Sequence, residues 1–493
     1  MLRLALHHPL HGALPRPLLR PIVSIYSTSS TSSSSPPPIA SQDNGFARGR
    51  TIYRVLPSDS EQKFHVEKTG RSLERWTQKA NSLKNAPTSI AAVQRTGTWI
   101  YDVLWDLFLP KDARSSLTKD YFPYAKWTFV GSVASCAASV LSMQSLLFAI
   151  GLGAGAIPTA AAVNWVLKDG LGQFGGVLFA SIVNNRYDAD PKRWRLASSV
   201  ALDVSVLGEI LTPLAPGSFL AIASLANVAK NVAWLSASAT RAGFHNSFAI
   251  RENLADVTAK AGSQAIASSI FGTGLGILIS QWTGASTLNV VAAFSVLSSL
   301  HMISTYKSVD CVQLRTLNCQ RLHLVATHFL RSPPDAREIP SLKTVSEREV
   351  FIPTMISGYQ TLHDKSVIHE DATLDQISHG SPKVLAHLKE FYGAEKYLLN
   401  LKLEKNGPHR IDLALDENAS SLDALLAHLH GVLIQVALED TATPPVDAWE
   451  LVEEKFHKAA ALNDEFISRL EESKWHTDNL LVEEKNSRYK WLA

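Results

Sequence analysis

TFVGSVASCAASVLSMQSLLFA, residues Thr128–Ala149, contains no charged side chain, and the uncharged interval around it runs from Trp127 to Leu167. A second uncharged interval runs from Ala261 to Tyr306. One helical pass through the hydrocarbon core of a bilayer needs about 20 apolar residues, so each interval is long enough for two passes. The predicted fold class is therefore mainly α, with a multi-helix membrane-embedded core.

Charged residues return at Lys307, and the pattern becomes that of a soluble domain. Asn406-Gly407, between two apolar stretches, is a dipeptide that favours a tight hairpin turn. We expect a small soluble C-terminal α+β domain. Its predicted elements are a hairpin of Tyr397–Glu404 with His409–Leu415, a helix at Lys383–Tyr392, and amphipathic helices at Ser420–Ala437 and Val446–Glu471.

The N-terminal stretch Met1–Gln42 contains no Asp or Glu, carries three Arg residues, and is nearly all Ser and Thr from Ser24 to Ser35. This composition is typical of an organelle transit peptide, with the mitochondrion favoured over the plastid. A disordered tail that carries no address is the alternative. The predicted domains are a leader at 1–45, an N-terminal linker and helices at 46–115, the apolar helical core at 116–308, a helical linker at 309–380, and the α+β domain at 381–493.

Composition narrows the possible functions. The 493 residues include 47 Lys and Arg against 45 Asp and Glu, a net charge of +2, which argues against a nucleic-acid-binding protein. The three cysteines form no CxxC pair and predict no disulfide framework. No phosphate-binding loop, HExxH zinc motif or GxSxG nucleophile motif is present. We therefore predict no catalytic residue, no metal and no cofactor, and rank an enzyme last.

Glycines recur at a spacing of four within the apolar region. In a membrane this spacing lets two helices approach closely, because one face of the helix lacks side chains. The predicted helix-packing pairs are Gly151 with Gly155, Gly172 with Gly176, and Gly272 with Gly276.

Polar islands interrupt the apolar region, and ionisable residues within a membrane-spanning segment point by default to a substrate path or a partner contact. Lys168-Asp169 either lines a polar cavity or belongs to a surface turn that ends a helix at Gly170. Asp188–Arg195 reads as a short basic loop, in contact with anionic lipid head groups or simply solvated. The candidate residues are Lys168, Asp169, Asp190, Lys192, Arg193, Arg195, Glu209, Arg241, Asn253, Asp256, Lys260 and Gln264.

Two of these candidates, Asp256 and Lys260, are four residues apart and could form an ion pair on one helix face. Glu209 lies beside Pro213, where a broken helix could expose backbone carbonyls around the carboxylate.

The same islands resemble the root UVB sensitive (RUS) family. The motifs are WVLKDG at Trp165–Gly170, DADPKRWR at Asp188–Arg195, EILTP at Glu209–Pro213, ATR at Ala239–Arg241, HNSFA at His245–Ala249 and NLADVTAKAGSQ at Asn253–Gln264. The match covers Leu107 to Ser308, with the motifs in the same order. The resemblance implies a eukaryotic membrane-associated protein that has no established biochemical activity. It further implies links to root UV-B responses, vitamin B6 homeostasis and auxin distribution, and members that act in pairs.

The leading functional hypothesis is an organellar membrane protein that acts as a transporter-like or scaffolding component. The expected partners are the lipid bilayer and a second copy or a relative from the same family, and the motifs name no small-molecule substrate. The alternative is a non-catalytic adaptor that pairs with a related membrane subunit.

Overall fold

The computed structural model describes residues 50–55, 61–66, 104–151, 159–183, 186–351, 366–405, 407–440, 447–481 and 488–491. The chain divides into two units, Met1–Ala92 and Val93–Ala493. The predicted leader, residues 1–45, and Gly155 both lie outside the described residues.

The described part of the first unit is an antiparallel hairpin of β1 (Arg50–Val55) and β2 (Glu61–Val66), in which Arg50 lies opposite Val66. Within the predicted linker and helices of 46–115, these residues thus form two strands. The six residues of β2 are mostly polar, so the pairing of backbone groups across the hairpin, rather than an apolar period, defines the strand.

In the second unit the short helix α1 (Ala113–Ser116) precedes a helical core, which we define as residues 121–310. Two 3-10 turns, Thr212–Leu214 and Pro216–Ser218, separate two of its long helices. α2 and α5 are central: α2 contacts α5, α7 and α8, while α5 also contacts α6 and α8, and α3 packs on α6. The helices are α1 (Ala113–Ser116), α2 (Tyr121–Ala149), α3 (Thr159–Val183), α4 (Arg186–Ala189), α5 (Pro191–Ile210), α6 (Phe219–Phe248), α7 (Leu254–Thr283) and α8 (Thr287–Asp310).

Local sequence explains where α5 begins and ends. Pro191 occupies the first helical position, where its missing N–H is not needed, and the Asp190 side chain accepts a hydrogen bond from the backbone N–H of Arg193 at 3.3 Å. Pro213 and Pro216 then prevent a continuous helix from α5 into α6. The break that the sequence predicted at these prolines is confirmed.

Two sequence predictions in this region are wrong. Asp188–Arg195 is not a loop, because it forms α4 and the first turn of α5. α3 does not end at Gly170 but continues to Val183. Packing against α6 explains the continuation, since Gly175 lies so close to Val228 that an added Cβ would be 2.6 Å from a valine methyl.

The outward surface of the core is apolar. Trp282 is 93% exposed, Leu288 78% and Leu225 72%. Among the described residues, all but four of the exposed large hydrophobic side chains lie in the core. A soluble monomer rarely exposes apolar surface so extensively.

Six described helices are long and apolar enough to cross a membrane, namely α2, α5, α6, α7, α8 and α13 (Ser421–Asp440). The sixth differs from the others because 67% of its apolar window is buried inside the protein. It is the central helix of the C-terminal domain.

The C-terminal domain, residues 316–491, is a mixed α/β unit with one continuous apolar core. Strand β6 is central, with β5 antiparallel on one side and β4 and β8 parallel to it on the other. Its elements are β3 (Thr316–Asn318), α9 (Cys319–Arg331), α10 (Leu342–Arg348), β4 (Ser366–His369), α11 (Leu374–Ile377), α12 (Pro382–Phe391), β5 (Tyr397–Lys402), β6 (His409–Asp416), α13, α14 (Ala448–Glu472), β7 (His476–Leu481) and β8 (Arg488–Tyr489).

The predicted hairpin is confirmed by β5 and β6, and Gly407 adopts the positive φ of +103° that such a turn uses. The predicted helices correspond to α12, α13 and α14. The description of 309–380 as a helical linker is wrong. Strand β3 interrupts it, and Leu322, Val325 and Phe329 of α9 are fully buried in the core of the domain.

Candidate functional site

A cavity of about 60 Å³, lined by both apolar and polar side chains, lies between α2, α5, α6 and α8 of the helical core. A single water needs roughly 10–15 Å³ on this measure, so the space holds several waters or one small ion. Its wall combines apolar, hydroxyl and cationic side chains. The polar and aromatic members are Trp127, Thr128, Ser132, Ser135, Arg195, Ser198, Ser199, Trp234, Arg241, His301, Thr305 and Ser308.

Two arginines provide the charge of the cavity. Arg195 comes from the first turns of α5 and Arg241 from the last turns of α6, and both are partly buried. Within the described residues, neither guanidinium group has a carboxylate partner or a side-chain hydrogen bond. Moving an unpaired charge from water into a protein interior costs about several kcal/mol. This part of the core is therefore suited to an anion.

Next to the cavity lies a buried carboxylate–imidazole pair, Asp203 and His301. His301 Nδ1 on α8 lies 2.8 Å from Asp203 Oδ1 on α5, and Ser298 Oγ donates to Asp203 Oδ2 at 2.6 Å. Both members of the pair are less than a tenth exposed. His301 lines the cavity, whereas its partner Asp203 does not.

Three of the seven hydroxyl residues that line the cavity, Ser198, Ser199 and Ser308, bond to helix carbonyls. Ser198 Oγ donates to the backbone oxygen of Arg195 at 2.7 Å, and Ser308 Oγ donates to that of Thr305 at 2.8 Å. Ser199 Oγ also lies 3.3 Å from Thr305 Oγ1, which links α5 to α8. These bonds leave the arginine N–H groups as the strongest free donors to a bound ion.

Glu209 is a buried carboxylate outside this cavity. It accepts hydrogen bonds from Ser142 Oγ on α2 and Lys230 Nζ on α6, while Thr212 Oγ1 donates to its backbone oxygen at 2.7 Å. The carboxylate thus joins three helices. Its hydrogen bonds with Ser142 and Lys230 assign it to helix packing.

Lys168 and Asp169 form a contact between α3 and α6. Lys168 Nζ lies 2.6 Å from Asp169 Oδ1 and 4.9 Å from the centre of the Trp165 ring. Asn227 Nδ2 on α6 donates to Lys168 O at 3.1 Å and to Asp169 Oδ1 at 3.2 Å. Lys168 is buried and Asp169 is about half exposed.

A buried ionic joint, consisting of Lys192, Glu349 and Arg321, connects the helical core to the C-terminal domain. Lys192 Nζ on α5 lies 2.5 Å from Glu349 Oε2, and Arg321 Nη1 on α9 lies 3.0 Å from Glu349 Oε1. Lys192 also donates to Ser346 Oγ at 2.9 Å. Because Lys192 is buried and paired inside the protein, the interpretation of this motif as a lipid-facing or solvated loop is wrong.

The pKa values of Asp190 and Glu349 shift in opposite directions, although burial acts to raise both. Burial raises the pKa of Asp190, and the Arg193 guanidinium, 3.6 Å away, only partly offsets this effect. Burial also acts to raise the pKa of Glu349, but Lys192 and Arg321 together outweigh it and hold that pKa below its ordinary value. The two cations therefore favour the ionised form of Glu349.

Side chains of the last polar island, Asn253–Gln264, form hydrogen bonds with the backbone of the segment that precedes α2. Asp256 Oδ2 accepts from the backbone N–H of Lys111 at 2.8 Å, Lys260 Nζ donates to Asp106 O, and Gln264 Nε2 donates to Phe108 O at 2.7 Å. The predicted ion pair between Asp256 and Lys260 does not form in the described structure, because each side chain binds this segment instead. Asn253 precedes α7, and its buried side-chain atoms bond to no described residue.

The glycines occupy different environments. Gly272 and Gly276 on α7 face α2, and Gly172 and Gly176 on α3 face α6, each against atoms that a Cβ would crowd. Gly151 has a φ of +78° just after α2, with nothing near its missing side chain.

Among the predicted polar residues, the structure brings only Arg195 and Arg241 to the cavity. Asp203 and His301 were not selected from the sequence. A signal for each was present: Asp203 stands alone between apolar neighbours, and His301 is the one histidine in the uncharged interval from Ala261 to Tyr306. The spacing along the chain gives no hint of their pairing, since 98 residues separate them.

These features define a class: a multi-helix apolar core of membrane-spanning length, with a cavity lined by two arginines, joined to a C-terminal domain of helices and strands. Residues 94–333 match the family described as the vitamin B6 photo-protection and homoeostasis domain, and residues 374–491 match the C-terminal domain of root UVB sensitive proteins. The chain belongs to the root UVB sensitive family, as its motifs suggested.

Curated relatives resemble the chain over most of its length. Protein root UVB sensitive 2, chloroplastic, from Arabidopsis thaliana is 31% identical over 392 residues, which cover 78% of this chain and 84% of the relative. Protein root UVB sensitive 3 from the same plant is 26% identical over 388 residues, 78% of this chain and 86% of the relative. RUS family member 1 from Dictyostelium discoideum is 31% identical over 252 residues, about half of each chain. No solved structure matches the chain significantly.

Proposed function

We propose that this protein is an integral membrane protein of an organelle, and that its helical core binds a small anion in the Arg195–Arg241 cavity as part of a transporter-like activity. The observation that carries the proposal is the pair of guanidinium groups of Arg195 and Arg241, which line one cavity of an apolar helix bundle and have no anionic partner among the described residues.

The surface of the core supports the membrane assignment. Large apolar side chains such as Trp282, Leu288 and Leu225 point outward, which is unfavourable in water and favourable against lipid tails. Five long helices of the core, α2, α5, α6, α7 and α8, have the length and the hydropathy that a bilayer requires.

The two arginines of the cavity support an anionic ligand. Arginine recognises phosphate and carboxylate through charge-assisted hydrogen bonds, which are stronger in an environment that excludes water. The family description names vitamin B6, and phosphorylated vitamin B6 joins a phosphate group to an aromatic ring. A cavity of about 60 Å³ takes the phosphate group, and Trp127 and Trp234 supply aromatic surface beside it.

The test begins with alkaline carbonate extraction of the native organelle, after which the protein should stay in the membrane pellet. Purified full-length protein should then bind pyridoxal phosphate and inorganic phosphate. Arg195→Gln and Arg241→Gln should each weaken binding by about 10- to 100-fold, since one charged hydrogen bond contributes roughly 1.5–3 kcal/mol.

Arg331→Gln is the matched control, because Arg331 is an exposed arginine of the C-terminal domain that pairs with Glu439. It should leave binding unchanged. If the cavity variants bind as well as wild type, the anion site is wrong. If they instead lose assembly with a second copy or a related subunit, the adaptor function is favoured over transport.

The proposed location in an organelle rests on the N-terminal leader. We propose that residues 1–45 are an import signal, on the basis of their acid-poor, Arg- and Ser-rich composition. The mitochondrion is our first choice and the plastid the second; one relative is named chloroplastic. Residues 1–45 fused to a fluorescent protein should enter one of these organelles, and Arg3, Arg16 and Arg20 changed together to Gln should abolish import. Uniform cytosolic fluorescence of the unmodified fusion would disprove the assignment.

A further inference from the structure

His301 presents one ring nitrogen to the anion cavity. Its Nδ1 is engaged by Asp203 at 2.8 Å, and the ring lines the cavity, where its Cδ2 would be 3.6 Å from a Cβ at Gly131. Within the described structure, Nε2 has no hydrogen-bond partner. Since a carboxylate on Nδ1 fixes the tautomer that carries the Nδ1 proton, Nε2 is left with its lone pair free to accept a second proton.

The charged groups around this imidazole have opposite effects on its protonation. Asp203 on α5 favours the imidazolium, whereas Arg195 on α5 and Arg241 on α6 disfavour it. The remaining titratable side chain of the wall is the neutral Cys136 thiol on α2. In the empty cavity two cations and one carboxylate already leave a positive excess, so a further proton is unfavourable.

An anion reverses this balance. Once an oxyanion neutralises the guanidinium groups, the imidazolium gains a negative neighbour and Asp203 still compensates it from the other side. Binding of the anion and protonation of His301 must then promote each other, because linkage between two sites is reciprocal.

We propose that His301, held by Asp203, takes up one proton at Nε2 when an anion enters the cavity, so that anion binding by this protein is proton-coupled. The proton comes from bulk water and the Nδ1–H···Asp203 hydrogen bond is retained. This inference rests on the proposed anion site and adds its coupling ion. The pH dependence of anion binding is therefore to be measured between about pH 5.5 and 8.5.

Sulfate is the appropriate probe, because it does not titrate in this range and any proton taken up must go to the protein. Calorimetry of sulfate binding to the purified full-length protein in buffers of different ionisation enthalpy should show uptake approaching one proton. Affinity should fall by up to about tenfold per pH unit as the pH rises through the coupled range, the slope expected for one linked proton.

His301→Gln should still bind sulfate but lose both the proton uptake and the pH dependence. Asp203→Asn can still accept the hydrogen bond of His301 through its amide oxygen, while its NH2 group donates to Ser298 Oγ instead of accepting from it. It lacks the negative charge and should move the coupled range to lower pH. His457→Gln, which changes an exposed histidine of α14, is the control and should behave as wild type.

The outcomes separate the two proposals. If wild type binds no sulfate at any pH, the anion site itself is wrong. If sulfate affinity is constant from pH 5.5 to 8.5, or if His301→Gln keeps the proton uptake, the anion site stands and the coupling is overturned. Should both variants fail to fold, the wild-type pH profile alone decides.

Discussion

Glu349→Ala is expected to lower the free energy of unfolding by about 3–5 kcal/mol, the usual penalty for removing one partner of a buried ion pair. Lys192 and Arg321 share this carboxylate, and all three side chains are at most 3% exposed. Without Glu349, two cations would remain in a site closed to water. Urea unfolding of the full-length protein in detergent, followed by tryptophan fluorescence, measures the change.

Glu347→Ala provides a matched control two residues away. Glu347 pairs with Lys343 at 3.7 Å, but both side chains are about two-thirds or more exposed. Removing this pair should change stability by no more than roughly 0.5 kcal/mol. Equal losses in the two variants would show that the ionic joint is not buried as described.

The same joint predicts an acid-side loss of stability. Because the folded pKa of Glu349 lies below its unfolded value, its stabilisation is complete above about pH 4.3, the unfolded value. It is lost as the pH falls through the lower folded pKa. In Glu349→Ala this part of the acid dependence should disappear.

Gly272→Ala is expected to destabilise the helical core by about 1–3 kcal/mol, the usual effect of overpacking. A Cβ at Gly272 would lie 2.6 Å from Cys136 Cβ and 2.6 Å from the backbone oxygen of Val133 on α2. A backbone atom cannot rotate away, so the two helices must separate. The midpoint of thermal unfolding in detergent reports the loss.

Gly274→Ala, on the same helix, distinguishes packing from helix propensity. Nothing lies within 4 Å of a Cβ at Gly274. Alanine should therefore be neutral or stabilise α7 by up to about 1 kcal/mol, since glycine is the poorer helix former. A destabilisation equal to that of Gly272→Ala would contradict the close α7–α2 contact.

Features encoded locally could be predicted from the sequence. The uncharged intervals contain most of α2, α7 and α8, prolines separate α5 from α6, and Asn406-Gly407 marks the β5–β6 hairpin. Each of these depends on a few consecutive residues or on uniform apolar composition, so no knowledge of the tertiary fold is needed.

The pairing of charges could not be predicted. Lys192 and Glu349 are 157 residues apart, and Asp203 and His301 are 98 apart. No periodic pattern links such positions, because their proximity depends on how α5 packs against α8 and against the C-terminal domain. For the same reason Arg195 and Arg241 could be selected as candidates but not placed in one cavity.

Helix α13 has consequences for mapping the orientation of the chain. Hydropathy alone would count it as another crossing, yet two-thirds of its apolar window is covered by its own domain. If it never enters lipid, every epitope tag inserted after Asp310 should be reached by antibody from the same compartment. A count that included α13 would assign the carboxyl terminus to the wrong side.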